Sequence, residues 1–288
     1  MNLIKQSIFG SVKTGMKNFI LFSFFLIVAI HCNAQSTAEI AGARYGALSN
    51  TGIADNSVWQ GLLNPAGIIT AQERWQAGAS YLNRFSISGL SSRDLVTSLK
   101  LGKGRFGLVV HSFGYDAYTQ NQFSGTYAMK LSQKFRAGVQ LNYFNVSIAE
   151  GFGNYSAFTA NMGLQYDFNE KVTVGLVIKN PNRSELSTDV MQQYLQSVIS
   201  GGLKYNLADN LTLLSDVSKD LDLDPNLSLA IEYSPLEEWS LRGGVSTLDR
   251  GLSFGFGYSP AKWSLDLASL YHQVLGFSPM ISFTYRNE

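Results

Sequence analysis

The sequence predicts an all-β protein: a transmembrane antiparallel β-barrel of about 14 strands with an N-terminal hatch segment in its lumen. Three observations indicate this fold. The chain opens with an apolar leader, and no later apolar run is long enough for a spanning helix. Segments within residues 75–288 alternate between large apolar and small or polar side chains. The connections between these segments alternate between short and long.

Residues 1–34 have the features of a secretory signal peptide. Lysines precede the apolar run of residues 19–30, and small residues then offer a cleavage site before Gln35. Translation from Met16 is an equal alternative, because the chain from there still has a charged head and an apolar body. A single membrane anchor and a lipidated Cys32 are the competing interpretations.

The composition of the remaining chain narrows its class. Removal of the leader takes away the single cysteine, so we expect neither a disulfide framework nor a cysteine metal site, and no cofactor. The remaining 19 basic and 21 acidic residues give a net charge of −2, which argues against nucleic acid as a partner. With 27 Gly, 18 Phe and 14 Tyr, the chain has the composition of an outer-membrane barrel.

The alternation is clearest in the second half of the chain. In residues 227–234 and 252–259, large apolar residues occupy every second position, and Ser, Gly, Ala or Glu lie between them. A soluble sandwich would pack the large face against a second sheet, whereas a membrane barrel turns it to lipid. Aromatic residues flanking two short turns favour the barrel, since they form a girdle at headgroup level: Tyr233, Trp239, Tyr258 and Trp263.

The order of the connections predicts the topology. Short turns and longer loops belong to opposite ends of such a barrel, the periplasmic and the extracellular end respectively. An even strand number then places both chain termini at the periplasmic end. The predicted location is the outer membrane of a Gram-negative bacterium, in contact with its lipid.

Residues 35–74 lack this alternation and form the predicted hatch, because a polar, Gly-rich segment at the mouth of a wide barrel can fold into its lumen. A short helical turn capped by Asp55 or Asn56 is expected, and a turn made by Asn64, Pro65, Ala66 and Gly67 ends the segment. This motif has two interpretations, a simple entry into the first strand or a gating contact.

The pattern of residues 41–68 resembles the N-terminal signature of the FadL-like outer-membrane proteins and of the PorV/PorQ proteins of type IX secretion. Its elements are a Gly-Ala-Arg start, a Gly-Ile-Ala-Asp middle and the Asn-Pro-Ala-Gly turn. The resemblance implies a 14-stranded barrel with an internal N-terminal segment. It departs from the family at residues 45–50, where Tyr-Gly-Ala-Leu-Ser-Asn replaces the usual Met-Gly-Gly stretch.

The sequence contains only weak candidates for catalytic or metal-binding residues. His111 and Ser112 are adjacent and point to opposite faces of a strand, and no enzyme is predicted. Asp220, Asp222 and Asp224 are spaced like calcium ligands, but Pro225 stands where such a loop needs Gly. A solvated acidic loop is the preferred interpretation, and no metal site is predicted.

Five charged residues fall on the small, polar face and are therefore expected to point into the lumen, paired with each other or with the hatch: Lys204, Asp216, Glu232, Arg242 and Asp266. A structural network is favoured over an ion path.

The function predicted from these features is that of a non-enzymatic accessory subunit of a protein secretion or surface-assembly complex, bound to a larger membrane protein complex. A channel for small hydrophobic compounds is the alternative, and a structural membrane protein without transport is a further one. The channel is disfavoured because the predicted lumen face offers Ser, Gly and charges in place of apolar walls.

Overall fold

The computed structural model describes residues 39–69, 73–149, 153–187, 192–247 and 251–287. The predicted signal peptide lies outside the described residues. No helix in the described part of the chain is long and apolar enough to cross a membrane.

Fourteen antiparallel strands close into one barrel, in which each strand pairs with its neighbours in the chain and the first strand pairs with the last. The barrel strands are β1 Trp75–Asn83, β2 Ser91–Leu101, β3 Gly104–Tyr115, β4 Tyr118–Lys130, β5 Phe135–Ile148, β6 Gly153–Asp167, β7 Val172–Lys179, β10 Val198–Ala208, β11 Leu211–Asp220, β12 Asn226–Leu236, β13 Trp239–Ser246, β14 Gly251–Tyr258, β15 Trp263–His272 and β16 Gly276–Asn287. A separate hairpin, β8 Glu185–Ser187 with β9 Gln192–Tyr194, lies between β7 and β10. The predicted number of strands and the closed antiparallel barrel are confirmed.

Alternation along each strand separates an outer from an inner face. Large apolar side chains are exposed on the outside, for example Leu95 at 60% and Phe158 at 72%. Ser98 and Thr126, on the opposite face, are buried at 1%. A barrel with this outer face is suited to lipid, because the apolar side chains face outward and the backbone groups of the strands pair within a closed sheet.

The connections at the two ends of the barrel differ less in length than the sequence predicts. Two residues join β2 to β3, and equally short turns join β10 to β11 and β12 to β13. At the opposite end, the predicted longer loop between β3 and β4 is wrong, because both strands continue until Tyr115 pairs with Tyr118. Gly114 permits this tight turn, since a Cβ there would lie 2.0 Å from the Tyr118 carbonyl oxygen.

Two further connections differ from prediction. Strand β12 runs through the predicted turn as far as Leu236, with an irregular register after Tyr233. Pro235 explains the irregularity, because it has no N–H for the ladder. The loop after β7 contains the β8–β9 hairpin, whose strands of three residues are too short to show alternation.

Candidate functional site: the lumen of the barrel

Residues 39–69, here called the N-terminal segment, fold into three short helical turns. Helix α1 spans Gly42–Ala47, and 3₁₀ turns span Val58–Gly61 and Pro65–Ile68. The cap of the middle turn is Ser57, whose Oγ accepts a hydrogen bond from the Trp59 N–H, and not the predicted Asp55 or Asn56. Asn64 caps the last turn through Ala66 N–H, and Pro65 occupies its first position, where a missing N–H costs nothing.

Inward-facing side chains from several strands hold the N-terminal segment. Trp59 Nε1 donates to Thr284 Oγ1 on β16 at 2.9 Å. Gln140 Nε2 on β5 donates to the Gly61 carbonyl at 2.6 Å, and Gln165 on β6 donates to two carbonyls of the segment. These bonds lie on widely separated strands, so the segment is tied across the lumen.

A belt of inward-facing glycines makes room for the N-terminal segment. A Cβ at Gly163 would lie 1.9 Å from Asn64 Oδ1, and one at Gly138 would lie 2.5 Å from the Pro65 carbonyl carbon. The predicted motif Asn64–Gly67 is thus packed against the barrel wall. The glycine belt comprises Gly78, Gly107, Gly138, Gly163, Gly175, Gly202, Gly244 and Gly255.

Charged side chains join the N-terminal segment to the wall. Arg44 Nη1 lies 2.6 Å from Asp55 Oδ2, and its other guanidinium nitrogens donate to both carboxylate oxygens of Glu232 at 2.9 Å. Lys204 Nζ lies 2.7 Å from Asp55 Oδ1. Bidentate contacts of this kind are among the stronger charge-assisted hydrogen bonds.

The remaining predicted charges continue the network on the wall. Arg242 pairs with Glu232 at 2.5 Å and with Asp266 at 2.7 Å. Asp216 Oδ2 accepts hydrogen bonds from two consecutive backbone N–H groups of the segment, those of Gly52 and Ile53. All five predicted lumen residues therefore contact the segment directly or through one another.

The segment's own charges, Arg44 and Asp55, were not among the predicted site residues. Burial alone would raise the pKa of Asp55, but Arg44 and Lys204 outweigh it and hold that pKa well below the ordinary value of 3.8. Burial and the neighbouring Asp55 carboxylate raise the pKa of Tyr45, whose hydroxyl donates to the same carboxylate at 2.9 Å. Asp55 is ionised and Tyr45 neutral at physiological pH.

His111 lies in the lumen beside residues that the sequence analysis did not single out. His111 Nδ1 is 2.6 Å from Asp94 Oδ1, and Ser80 Oγ donates to the other oxygen of Asp94 at 2.5 Å. A nucleophilic serine would have to contact the imidazole, whereas Ser80 contacts the carboxylate. The cluster is therefore a polar contact between β1, β2 and β3.

The four predicted girdle residues lie on the outer wall near the short turns. The ring centroids of Trp239 and Tyr258 are 4.4 Å apart, and those of Tyr258 and Trp263 are 5.5 Å apart. Tyr233 is 42% exposed on β12. This arrangement is suited to the headgroup level of a membrane.

The predicted aspartates do not converge. Asp220 Oδ1 accepts the backbone N–H of Asp222 at 2.9 Å, and Asp222 lies 3.3 Å from the guanidinium of Arg183. Within the described ranges, no three His, Cys, Asp or Glu side chains are grouped as metal ligands would be.

Inward-facing apolar side chains form a packed group at the end of the barrel that carries the β3–β4 turn, opposite the β2–β3 turn. There the β8–β9 hairpin packs onto the ends of β5 and β6. The resulting group, here called the apolar vestibule, comprises Val146, Ala157 and Leu186, with Tyr118, Ile148, Tyr155 and Leu195 packed against them. The sequence analysis did not identify this apolar group, because its residues come from separate strands and from a hairpin that the alternation pattern did not reveal.

Comparison by sequence gives no match, either to a family model or to a curated protein. Comparison by structure does. The Pseudomonas putida toluene transporter TodX matches with a TM-score of 0.64 and 12% identity, over 86% of this chain and 98% of TodX. A Pseudomonas aeruginosa FadL homologue matches with a TM-score of 0.62 and 13% identity, over 88% of this chain and all of that one. This chain has the FadL-type barrel fold.

Proposed function

We propose that this chain is an outer-membrane channel for small hydrophobic compounds, with the N-terminal segment as its hatch. The apolar vestibule carries this proposal. It places apolar side chains at one mouth of a lumen whose other inward-facing residues are mainly Ser, Thr, Asn and Gln, and its outer members, such as Tyr118 and Tyr155, are only partly buried. Shared fold with a toluene transporter and with a FadL homologue supports it further. The proposal replaces the secretion-adaptor interpretation as the preferred one.

The proposed orientation follows from the ends of the chain. Arg74 N–H donates to the Asn287 carbonyl at 2.7 Å, so the start of β1 and the end of β16 lie together at the short-turn end. If that end is periplasmic, as short turns predict, the vestibule opens outward to the environment. Compounds would then collect at the vestibule before meeting the hatch.

Passage requires the hatch to shift, because its residues are buried against the wall. Tyr45, Leu48 and Ala66 are all fully buried. Apolar side chains of the hatch pack against Val96, Val109 and Leu214 of the wall, and hydrogen bonds and ion pairs hold it beside them. Water can replace these polar contacts when the hatch moves. Such a channel needs two parts. One is an apolar site where compounds enter, and the other is a hatch that can move aside.

Uptake of a monoaromatic hydrocarbon by cells that express the chain tests the proposal. Tyr118→Ala together with Tyr155→Ala removes two aromatic rings from the vestibule and is expected to slow uptake. Tyr166→Ala, on the lipid-facing wall, is the matched control and is expected to leave uptake unchanged. Equal uptake by cells with and without the wild-type chain would overturn the proposal.

The many hydrogen bonds and ion pairs between hatch and wall make the adaptor the second candidate function. A hatch that never moves makes the barrel a closed scaffold, and its role would then be to bind a larger membrane protein complex through its loops and wall. Purification in mild detergent distinguishes the two. Stable copurification with large membrane proteins, together with no hydrocarbon uptake, would support the adaptor and exclude the channel.

A further inference from the structure

The polar side chains of the lumen that contact the hatch have complete sets of hydrogen bonds. Gln140 Nε2 donates to the Gly61 carbonyl of the hatch, and Gln140 Oε1 accepts from Asn161 Nδ2 at 2.8 Å. Asn161 Oδ1 in turn accepts from the Asn180 backbone N–H at 3.2 Å. Both halves of each amide have a partner, as is normal for buried polar groups.

The next polar side chains towards the apolar vestibule are different. Gln122 on β4 and Asn142 on β5 face the lumen and are 3% and 2% exposed. Gln122 Nε2 donates to Ser124 Oγ at 3.0 Å. Asn142 Nδ2 donates to Thr159 Oγ1 at 2.9 Å. In the part of the chain that the structure describes, neither Gln122 Oε1 nor Asn142 Oδ1 has a hydrogen-bond partner. Each of these oxygens therefore needs a donor from outside the wall.

The two amides are neighbours on the inner face of the barrel. Ser124, which accepts from Gln122, pairs directly with Asn142 across β4 and β5. Gln122 and Asn142 are therefore diagonal neighbours, a relation in which Cβ atoms lie about 7–8 Å apart or closer. One small polar group of a ligand can approach both amides.

An aromatic side chain lies between these amides and the vestibule. Phe144 is the next inward residue after Asn142 on β5, and it is half-buried. It pairs with Gln122 on one side and with Ala157 of the vestibule on the other. Consecutive inward residues of a strand are about 7 Å apart. A ring that lies beside Phe144 can therefore place a substituent against the amides.

We propose that this part of the lumen selects monoaromatic compounds that carry a hydroxyl group, such as phenol, over plain hydrocarbons. The inference rests on the proposed channel function, because it names the class of compound that the channel takes. The ring lies beside Phe144, and the hydroxyl donates to Gln122 Oε1 or Asn142 Oδ1. A hydrocarbon leaves both oxygens without a donor, and sites that hydrogen-bond a hydroxyl reject analogues that lack it.

The same amides separate phenols from aromatic acids. A carboxylate only accepts hydrogen bonds, so it has nothing to offer to two carbonyl oxygens. A cation does lie in this part of the lumen, since Lys179 on β7 pairs with Asn161. Its Nζ donates to the Leu62 carbonyl of the hatch at 2.8 Å. Benzoate is therefore expected to bind more weakly than phenol.

Equilibrium dialysis of the full chain in mild detergent tests this selection. Labelled phenol, toluene and benzoate are compared, with detergent alone as the reference that cancels partition into micelles. We expect phenol to bind at least about fivefold more tightly than toluene or benzoate. Equal affinity for phenol and toluene would refute the role of the amides, and tighter binding of benzoate would show that a cation makes the selection instead.

Two variants locate the preference. Gln122→Met with Asn142→Leu removes both amides at similar volume, and is expected to lower the affinity for phenol to that for toluene while toluene binding is kept. Asn206→Leu is the control, since Asn206 accepts from Thr212 Oγ1 near the short-turn end of β10. A preference for phenol that survives in the double variant would mean that its hydroxyl binds elsewhere.

Binding and uptake together distinguish this inference from the channel proposal. Uptake of toluene that depends on the chain, without tighter binding of phenol, would leave the channel standing and reject the selection. Tighter binding of phenol that the double variant abolishes, without uptake of either compound, would support the selecting site and reject the channel.

Discussion

Gly201 and Gly202 are neighbours on β10, but only one of them faces the N-terminal segment. A Cβ at Gly202 would lie 2.3 Å from Asp216 Oδ1 and 2.7 Å from Ile53 Cβ, whereas a Cβ at Gly201 would meet its nearest atom at 3.9 Å. The wall thus has glycine where the segment comes closest. Such a position tolerates no side chain, because overpacking forces the backbone or its neighbours to shift.

Gly202→Ala is therefore expected to destabilise the packed segment by about 1–3 kcal/mol. Gly201→Ala is the matched control, with an expected change within about 0.5 kcal/mol. Thermal unfolding and protease protection of residues 39–69 measure both. Equal protection in the two variants would mean that the segment does not pack against β10 as described.

Asp55 is the acidic centre of the contacts between segment and wall. Asp55→Asn leaves Lys204 without its carboxylate and is expected to cost about 2–3 kcal/mol, less than for a fully buried pair because Arg44 and Lys204 are 20% and 23% exposed. Asp222→Asn, which removes an exposed pair with Arg183, should cost no more than about 0.5 kcal/mol. Thermal unfolding at neutral pH compares the two.

The difference in stability between wild type and Asp55→Asn depends on pH, and the direction in which folding shifts the pKa of Asp55 determines how. The folded-state pKa of Asp55 is held below its ordinary value of 3.8, so its ionised form stabilises the folded state above that value. The stabilisation is lost as the pH falls through the folded-state pKa. The gap between wild type and Asp55→Asn should stay constant from neutral pH down to about pH 4 and shrink only below it. A gap that closes at pH 6 would contradict the ion-pair assignment.

At the level of elements, the barrel strands were predictable and the β8–β9 hairpin was not. In β12 and β14 the outward residues are large and mostly apolar and the inward residues are small or polar, so a period of two is visible in sequence alone. The β8–β9 hairpin escaped prediction because three residues cannot show a period. The ion pair between Arg44 and Glu232 spans 188 residues, and no local pattern reports such a partner.

The N-terminal segment is the element whose removal has the largest expected effect. Deleting residues 39–69 leaves all 14 barrel strands and their hydrogen bonds in place. The exposed lumen would be polar and water-filled, as in open barrels. We expect a steady conductance in planar bilayers for the deletion variant and little for the full chain. Absence of conductance in a correctly folded deletion variant would show that the segment does not close the lumen.

For the molecule as a whole, the barrel wall can be predicted from the sequence better than the contacts inside the lumen. Charge on an inward strand position, as at Arg242 and Asp266, can be recognised because the lipid face excludes it. The vestibule could not be recognised, because Ala157 and Leu186 become neighbours only when the hairpin folds over β6. The contacts inside the lumen therefore could not be predicted, because they join residues that are far apart in the sequence.

A disulfide lock tests most directly whether compounds pass by movement of the hatch. A Cβ at Gly46 would lie 3.7 Å from the Ala268 Cβ, within the range for a disulfide, so Gly46→Cys with Ala268→Cys can join the segment to β15. Hydrocarbon uptake is measured in cells that express this variant, oxidised and then reduced, with each single cysteine variant as control. The channel proposal predicts that oxidation stops uptake and that reduction restores it. Equal uptake in the oxidised and reduced states would contradict it.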